Sequence, residues 1–116
     1  MLPHVRAAVA YIAGRIISGS NSTYVYDYSR ARYIPISGNV DEDAVNVFDH
    51  EKGAHIGGSP PSLYHYGEGS HISLNVSGHS FTGFDYGTGS HFSGNVSGSA
   101  VSLYDYGEGQ YFNHAI

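Results

Sequence analysis

The sequence predicts an all-β fold made of tandem units and entered through a short N-terminal helix. Three observations carry this expectation. An aromatic-centred triplet recurs five times, the residues around it alternate between apolar and polar, and glycines fall at fixed places between the alternating runs.

The triplets are Tyr26-Asp27-Tyr28, Phe48-Asp49-His50, Tyr64-His65-Tyr66, Phe84-Asp85-Tyr86 and Tyr104-Asp105-Tyr106, with centres 22, 16, 20 and 20 positions apart. Regular recurrence at this period is a signature of stacked architectures. Within the last unit, Val101, Leu103 and Asp105 fall on one side of an extended chain and Ser102, Tyr104 and Tyr106 on the other. In the preceding segment Ile72, Leu74 and Val76 share a face opposite His71, Ser73 and Asn75. A period of two is the mark of a strand with one buried face. Gly107-Glu108-Gly109 and its counterparts supply turn residues between strands.

Each unit therefore holds two short strands and two turns, and two topologies satisfy that pattern. The leading expectation is a short β-solenoid, or β-roll, of about five units of roughly 20 residues, in which like side chains stack along parallel sheets. The alternative is an antiparallel hairpin meander closing into a sandwich or barrel. On the solenoid reading the last unit ends in an uncovered strand edge, which invites pairing with another chain. A homo-oligomer follows as the expected state.

Residues 1–19 form the first segment and residues 20–116 the β domain. Leu2, Val5, Val9, Ile12 and Ile16 sit at spacings of three and four, which places them on one helical face. Four alanines favour helix, Pro3 suits a first turn, and Gly19 is a stop. The expected role is a cap docked by its apolar stripe onto the β domain. Arg6 and Arg15 interrupt the apolar run, which is too short to span a bilayer. A cytoplasmic location, without membrane attachment, is the resulting expectation.

Composition narrows the function classes. Only 13% of residues are charged while 11 are Tyr, which sets the chain apart from disordered sequences. No Lys or Arg follows Lys52, so the second half offers nothing to neutralise phosphates, and nucleic acid is not an expected partner. There is no cysteine to form a disulfide or thiolate site. The order Asp-Tyr-Gly-x-Gly is not the Gly-Gly-x-Gly-x-Asp of calcium-binding β-rolls. The carboxylates recur once per unit, as architectural residues do, and no nucleophile–base arrangement or phosphate loop is present. The chain is not expected to be an enzyme or to carry a cofactor.

Two sets of side chains remain as candidates. Tyr64, Tyr66, Phe84, Tyr86, Tyr104 and Tyr106 lie opposite the aliphatic face and form the candidate ligand or interface surface. His55, His71 and His91 recur six residues after a triplet centre and are the candidate metal ligands. The expected function is a non-catalytic structural or protein-interaction domain that self-assembles. A small-ligand module for sugars or metal ions is the alternative, and a glycan-active enzyme the remote one. After Lys52 there are four acids and six histidines, so full imidazole protonation would move that half from −4 to +2. Acid-sensitive assembly is the corresponding expectation.

Overall fold

A computed structural model describes all 116 residues. One helix, α1 (Pro3–Ser18), precedes ten strands: β1 (Tyr24–Asp27), β2 (Arg32–Val40), β3 (Val45–Asp49), β4 (Ala54–Ser59), β5 (Ser62–His65), β6 (Ser70–Ser77), β7 (Ser80–Asp85), β8 (Ser90–Ser97), β9 (Ala100–Asp105) and β10 (Gln110–Ala115). Every strand pairs antiparallel with its sequence neighbours, and β10 returns to β1 to close a barrel. The solenoid expectation is overturned; the hairpin-barrel alternative describes the fold.

The turns explain why. After each triplet centre the chain makes a four-residue turn in which the last residue takes a left-handed conformation. Gly53, Gly69, Gly89 and Gly109 hold φ between 64° and 69°, and their N–H groups donate to the carbonyls of Asp49, His65, Asp85 and Asp105 at 2.8–2.9 Å. Such a turn folds the second strand of a unit directly onto the first. A solenoid would have needed the two strands to lie in different sheets.

Alternation sorts the barrel as the sequence indicates. Leu63, Ile72 and Leu103 are buried inside together with Ile34, Ile56 and Phe92. On the inner face Phe81 pairs with Gly94 and Gly83 with Phe92 across β7 and β8, so each ring lies over a residue without a side chain. A Cβ on Gly94 would stand 2.3 Å from the Phe81 ring.

The helix is not a cap. Every residue from His4 to Arg15 is buried, because α1 runs inside the barrel and contacts β1, β2, β6, β8, β9 and β10. Its amphipathic stripe is thus not its docking face, and Leu2, the first residue of that stripe, is exposed. Ala7, Ala8, Ala10, Ala13 and Gly14 keep the helix thin enough to be enclosed. At Gly14 an added Cβ would lie 2.8 Å from Ile116. The polar side chains on α1 are satisfied internally. Arg15 donates to Ser20, Tyr11 and Gly38, and the Tyr11 hydroxyl donates to the Ser22 carbonyl. No helix is long and apolar enough to cross a membrane.

The uncovered final edge is also corrected. Ala115 pairs with Tyr26 and His114 with Asp27, so β10 has a partner within the same chain. Register around the ring is uneven. Tyr66, Tyr86 and Tyr106 donate their N–H groups to His55, His71 and His91, but His50 and Tyr28 donate to Pro35 and Asn113, two residues further along. The first hairpin is displaced by two residues relative to its neighbours, in step with the irregular first spacings of the triplets.

Candidate binding surface

The central residue of each triplet points into the barrel and the two flanking residues point out. Asp27, Asp49, Asp85 and Asp105 are at most 2% exposed, and so is His65. Each carboxylate accepts the backbone N–H two residues ahead, from Ser29, Glu51, Gly87 and Gly107 at 2.9–3.0 Å. In the one unit without Asp, His65 Nδ1 accepts from the Glu68 N–H at 3.2 Å. The acid is therefore a clamp for the turn that follows it. Turn and clamp together fix the direction of the aromatic neighbours.

Buried carboxylates need counter-charge. Asp105 has the Met1 ammonium at 3.1 Å and Arg6 at 3.3 Å. Asp27 has Arg30 at 2.7 Å, and Arg30 reaches Glu51 at 3.1 Å. The Asp27 carboxyl is held below its usual range: burial works against this, while hydrogen bonds from Ser29 and Arg30 and the charges of His114 and Arg30 outweigh it. Asp49 Oδ2 and His65 Nε2 are buried without a hydrogen-bond partner. Burial pushes the His65 imidazole down, with His4 adding to the effect and nearby carboxylates opposing it. His114 is pushed down to about 4, chiefly by burial; Asp27 opposes this, and Arg6 and Arg30 reinforce it. Burial thus opposes protonation of two of the six histidines counted in the charge argument, so in the folded chain the full swing to +2 requires more acid than six free imidazoles would.

On the outside each hairpin carries an aromatic triad. Tyr64 packs edge-to-face against Tyr66 and His71 with ring centroids 4.9 and 4.8 Å away. Phe84 does the same with Tyr86 and His91, and Tyr104 with Tyr106 and Tyr111. Tyr26 with Tyr28 and Tyr33, and Phe48 with His50 and His55, complete the set. The central ring is half-buried, and the tyrosines flanking it are 59–66% exposed. All five triads lie toward the same end of the barrel, where the four-residue turns are, and form a belt.

All six aromatic candidates from the sequence belong to this belt. They do not stack as one column, since Tyr64, Phe84 and Tyr104 stand on β5, β7 and β9 with a strand between each pair. His55, His71 and His91 are distributed in the same way over β4, β6 and β8. Two strand spacings separate neighbours by about 9–10 Å, too far to share one ion. No group of three His, Asp or Glu side chains converges in metal-binding geometry. The Asp41-Glu42-Asp43 cluster lies in the exposed loop between β2 and β3, where Asp41 accepts from the Asp43 and Ala44 N–H groups. Sequence reasoning missed the buried roles of His65, His114 and Arg15. The parity that places Asp105 beside Leu103 was the available signal for an inward acid.

No family model matches the chain, and comparison with curated proteins and with solved structures finds no match, so the functional argument rests on the geometry.

Proposed function

We propose that this is a non-catalytic interaction domain that associates through its aromatic belt, with a second copy of the chain as the partner. The observation that carries the reading is the belt itself: five edge-to-face triads, four ending in a protruding tyrosine at the turn. Exposed aromatic side chains of this kind are enriched where proteins meet. With every strand edge paired inside the chain, association has to proceed through side chains rather than by strand addition. Two further features agree with a non-catalytic role. The lumen is filled by α1, leaving no interior site for a substrate. The triplet carboxylates are sealed from solvent and engaged in clamping turns.

Sedimentation velocity tests the reading. Wild-type protein is expected to sediment as a species heavier than the 12.4 kDa chain, and a Tyr66→Ser/Tyr86→Ser variant as a folded monomer. A wild-type monomer at every concentration contradicts self-association. A second reading, a small-ligand module, is supported by one groove within the belt and is independent of association.

A further inference from the structure

A shallow groove of about 410 Å³ crosses the outer face of the fourth hairpin, β7–β8, reaching β6 on one side and the turn after β9 on the other. Its lining includes Asn75 of β6, Thr82 and Phe84 of β7, His91 and Ser93 of β8, and Tyr106 of the turn after β9. Its size falls within the range of small-molecule sites. We infer that this groove is a binding site for a neutral saccharide.

The register arranges the lining in two rows. Asn75 pairs with Thr82 and Thr82 with Ser93, giving a row of one amide and two hydroxyls across three adjacent strands. One step toward the turns, Phe84 pairs with His91 to give an aromatic row. Tyr106 comes from the next hairpin, tied beside His91 by its N–H bond to the His91 carbonyl at 3.1 Å. Phe84, His91 and Tyr106 therefore form an aromatic wall along the turn side of a hydroxyl and amide floor.

The chemistry of this lining selects its ligand by elimination. No Lys, Arg, Asp or Glu lines the groove, and none of residues 53–116 is Lys or Arg. A phosphate or carboxylate would find no guanidinium or ammonium to pair with. A wholly apolar ligand would strip water from Asn75, Thr82 and Ser93 without replacing its hydrogen bonds. A pyranose offers what remains, a C–H face for the rings and hydroxyls that both donate and accept for the floor. The depression formed by Tyr24, Tyr26, Tyr28, Tyr33 and Ala115 lacks such a floor. The depression beside Pro60 and Pro61 contains Glu42.

The test is a titration of the full chain, followed by amide NMR, with cellotriose, maltotriose and chitotriose at millimolar concentration. Tetramethylammonium and inorganic phosphate serve as charged probes. At least one saccharide is expected to move the Thr82, Phe84, His91 and Ser93 resonances saturably. Asn75→Ala and Tyr106→Ser should each weaken that binding tenfold or more, with the unbound spectrum otherwise retained. The inference is overturned if no saccharide moves these resonances or if all five triads respond equally. It is also overturned if only tetramethylammonium or phosphate acts, or if both variants bind as the wild type does. Sedimentation of the same samples keeps the proposals separate, because a monomer that binds sugar refutes only the self-association.

Discussion

His114 faces Asp27 across the seam that closes the barrel, with Nε2 3.8 Å from the carboxylate Oδ1 and both side chains buried. The two-residue displacement of the first hairpin produces this pairing. Elsewhere on the ring the clamp residue stands opposite an apolar residue: Ile36 for Asp49, Ile56 for His65, Ile72 for Asp85 and Phe92 for Asp105. The seam is also the shortest pairing in the barrel, with two Cα partners where its neighbours have four to six.

Acid should loosen this seam. The folded His114 is pushed down to about 4 from 6.5. Between those values the unfolded chain binds the extra proton, so stability falls as pH drops from 6.5 towards 4. The ceiling for this one group is roughly 3 kcal/mol. His65 is shifted the same way and adds in the same direction. The lowered Asp27 carboxyl supplies stability above its ordinary value of 3.8, lost only at more acid pH. Urea midpoints at pH 7 and pH 5 should therefore differ more for wild type than for His114→Met, which should lose nothing at pH 7. Equal drops in the two proteins contradict this.

An enclosed helix makes small residues obligatory. Ala10 is fully buried, and Ala10→Leu should overpack the lumen at a cost of about 1–3 kcal/mol or more. On a helix docked against the outside of the domain the same change would be nearly neutral. Thermal or urea unfolding distinguishes the two placements.

The Phe–Gly pairs of β7 and β8 predict a second steric effect. A Cβ at Gly94 would stand 2.2 Å from the Ser102 carbonyl as well as against Phe81. Gly94→Ala should cost roughly 2 kcal/mol or more. Adding Phe81→Ala should recover little, because the backbone clash persists. Full rescue in a double-mutant cycle would show that the ring alone sets the constraint.

The Asp105 clamp carries charge as well as geometry. Asp105→Asn keeps an acceptor for the Gly107 N–H but leaves Arg6 without its anion. The expected loss is about 3–5 kcal/mol, measured by urea unfolding. Arg6 also lies over the Phe112 ring at 3.6 Å, so Arg6→Met, which fills the same space, should cost less than Arg6→Ala.

How much of this was legible follows from what alternation encodes. Parity alone placed Leu63, Ile72 and Leu103 inside, put Tyr64 and Tyr104 outside, and aligned Asp105 with the apolar face. Parity is identical for a solenoid and a hairpin barrel, so topology depended on a second signal, the left-handed glycine four residues after four of the five triplet centres, where Ala31 takes the same conformation after Asp27. The helix was misplaced because its stripe resembled a docking face. The alanines beside that stripe, which let the helix be enclosed, are in sequence indistinguishable from ordinary helix formers. The seam was hidden because β1 and β10 meet from opposite ends of the sequence, and the displaced register shows there only as uneven first spacings of the triplets.

The most direct test is whether β1 and β10 touch within one chain. Nuclear Overhauser contacts between Asp27 and His114 and between Tyr26 and Ala115 should be present, with slow exchange of the Tyr28 amide that donates to Asn113. Both contacts missing, with the Tyr28 amide exchanging freely, would mean an open sheet and contradict the closed barrel around α1.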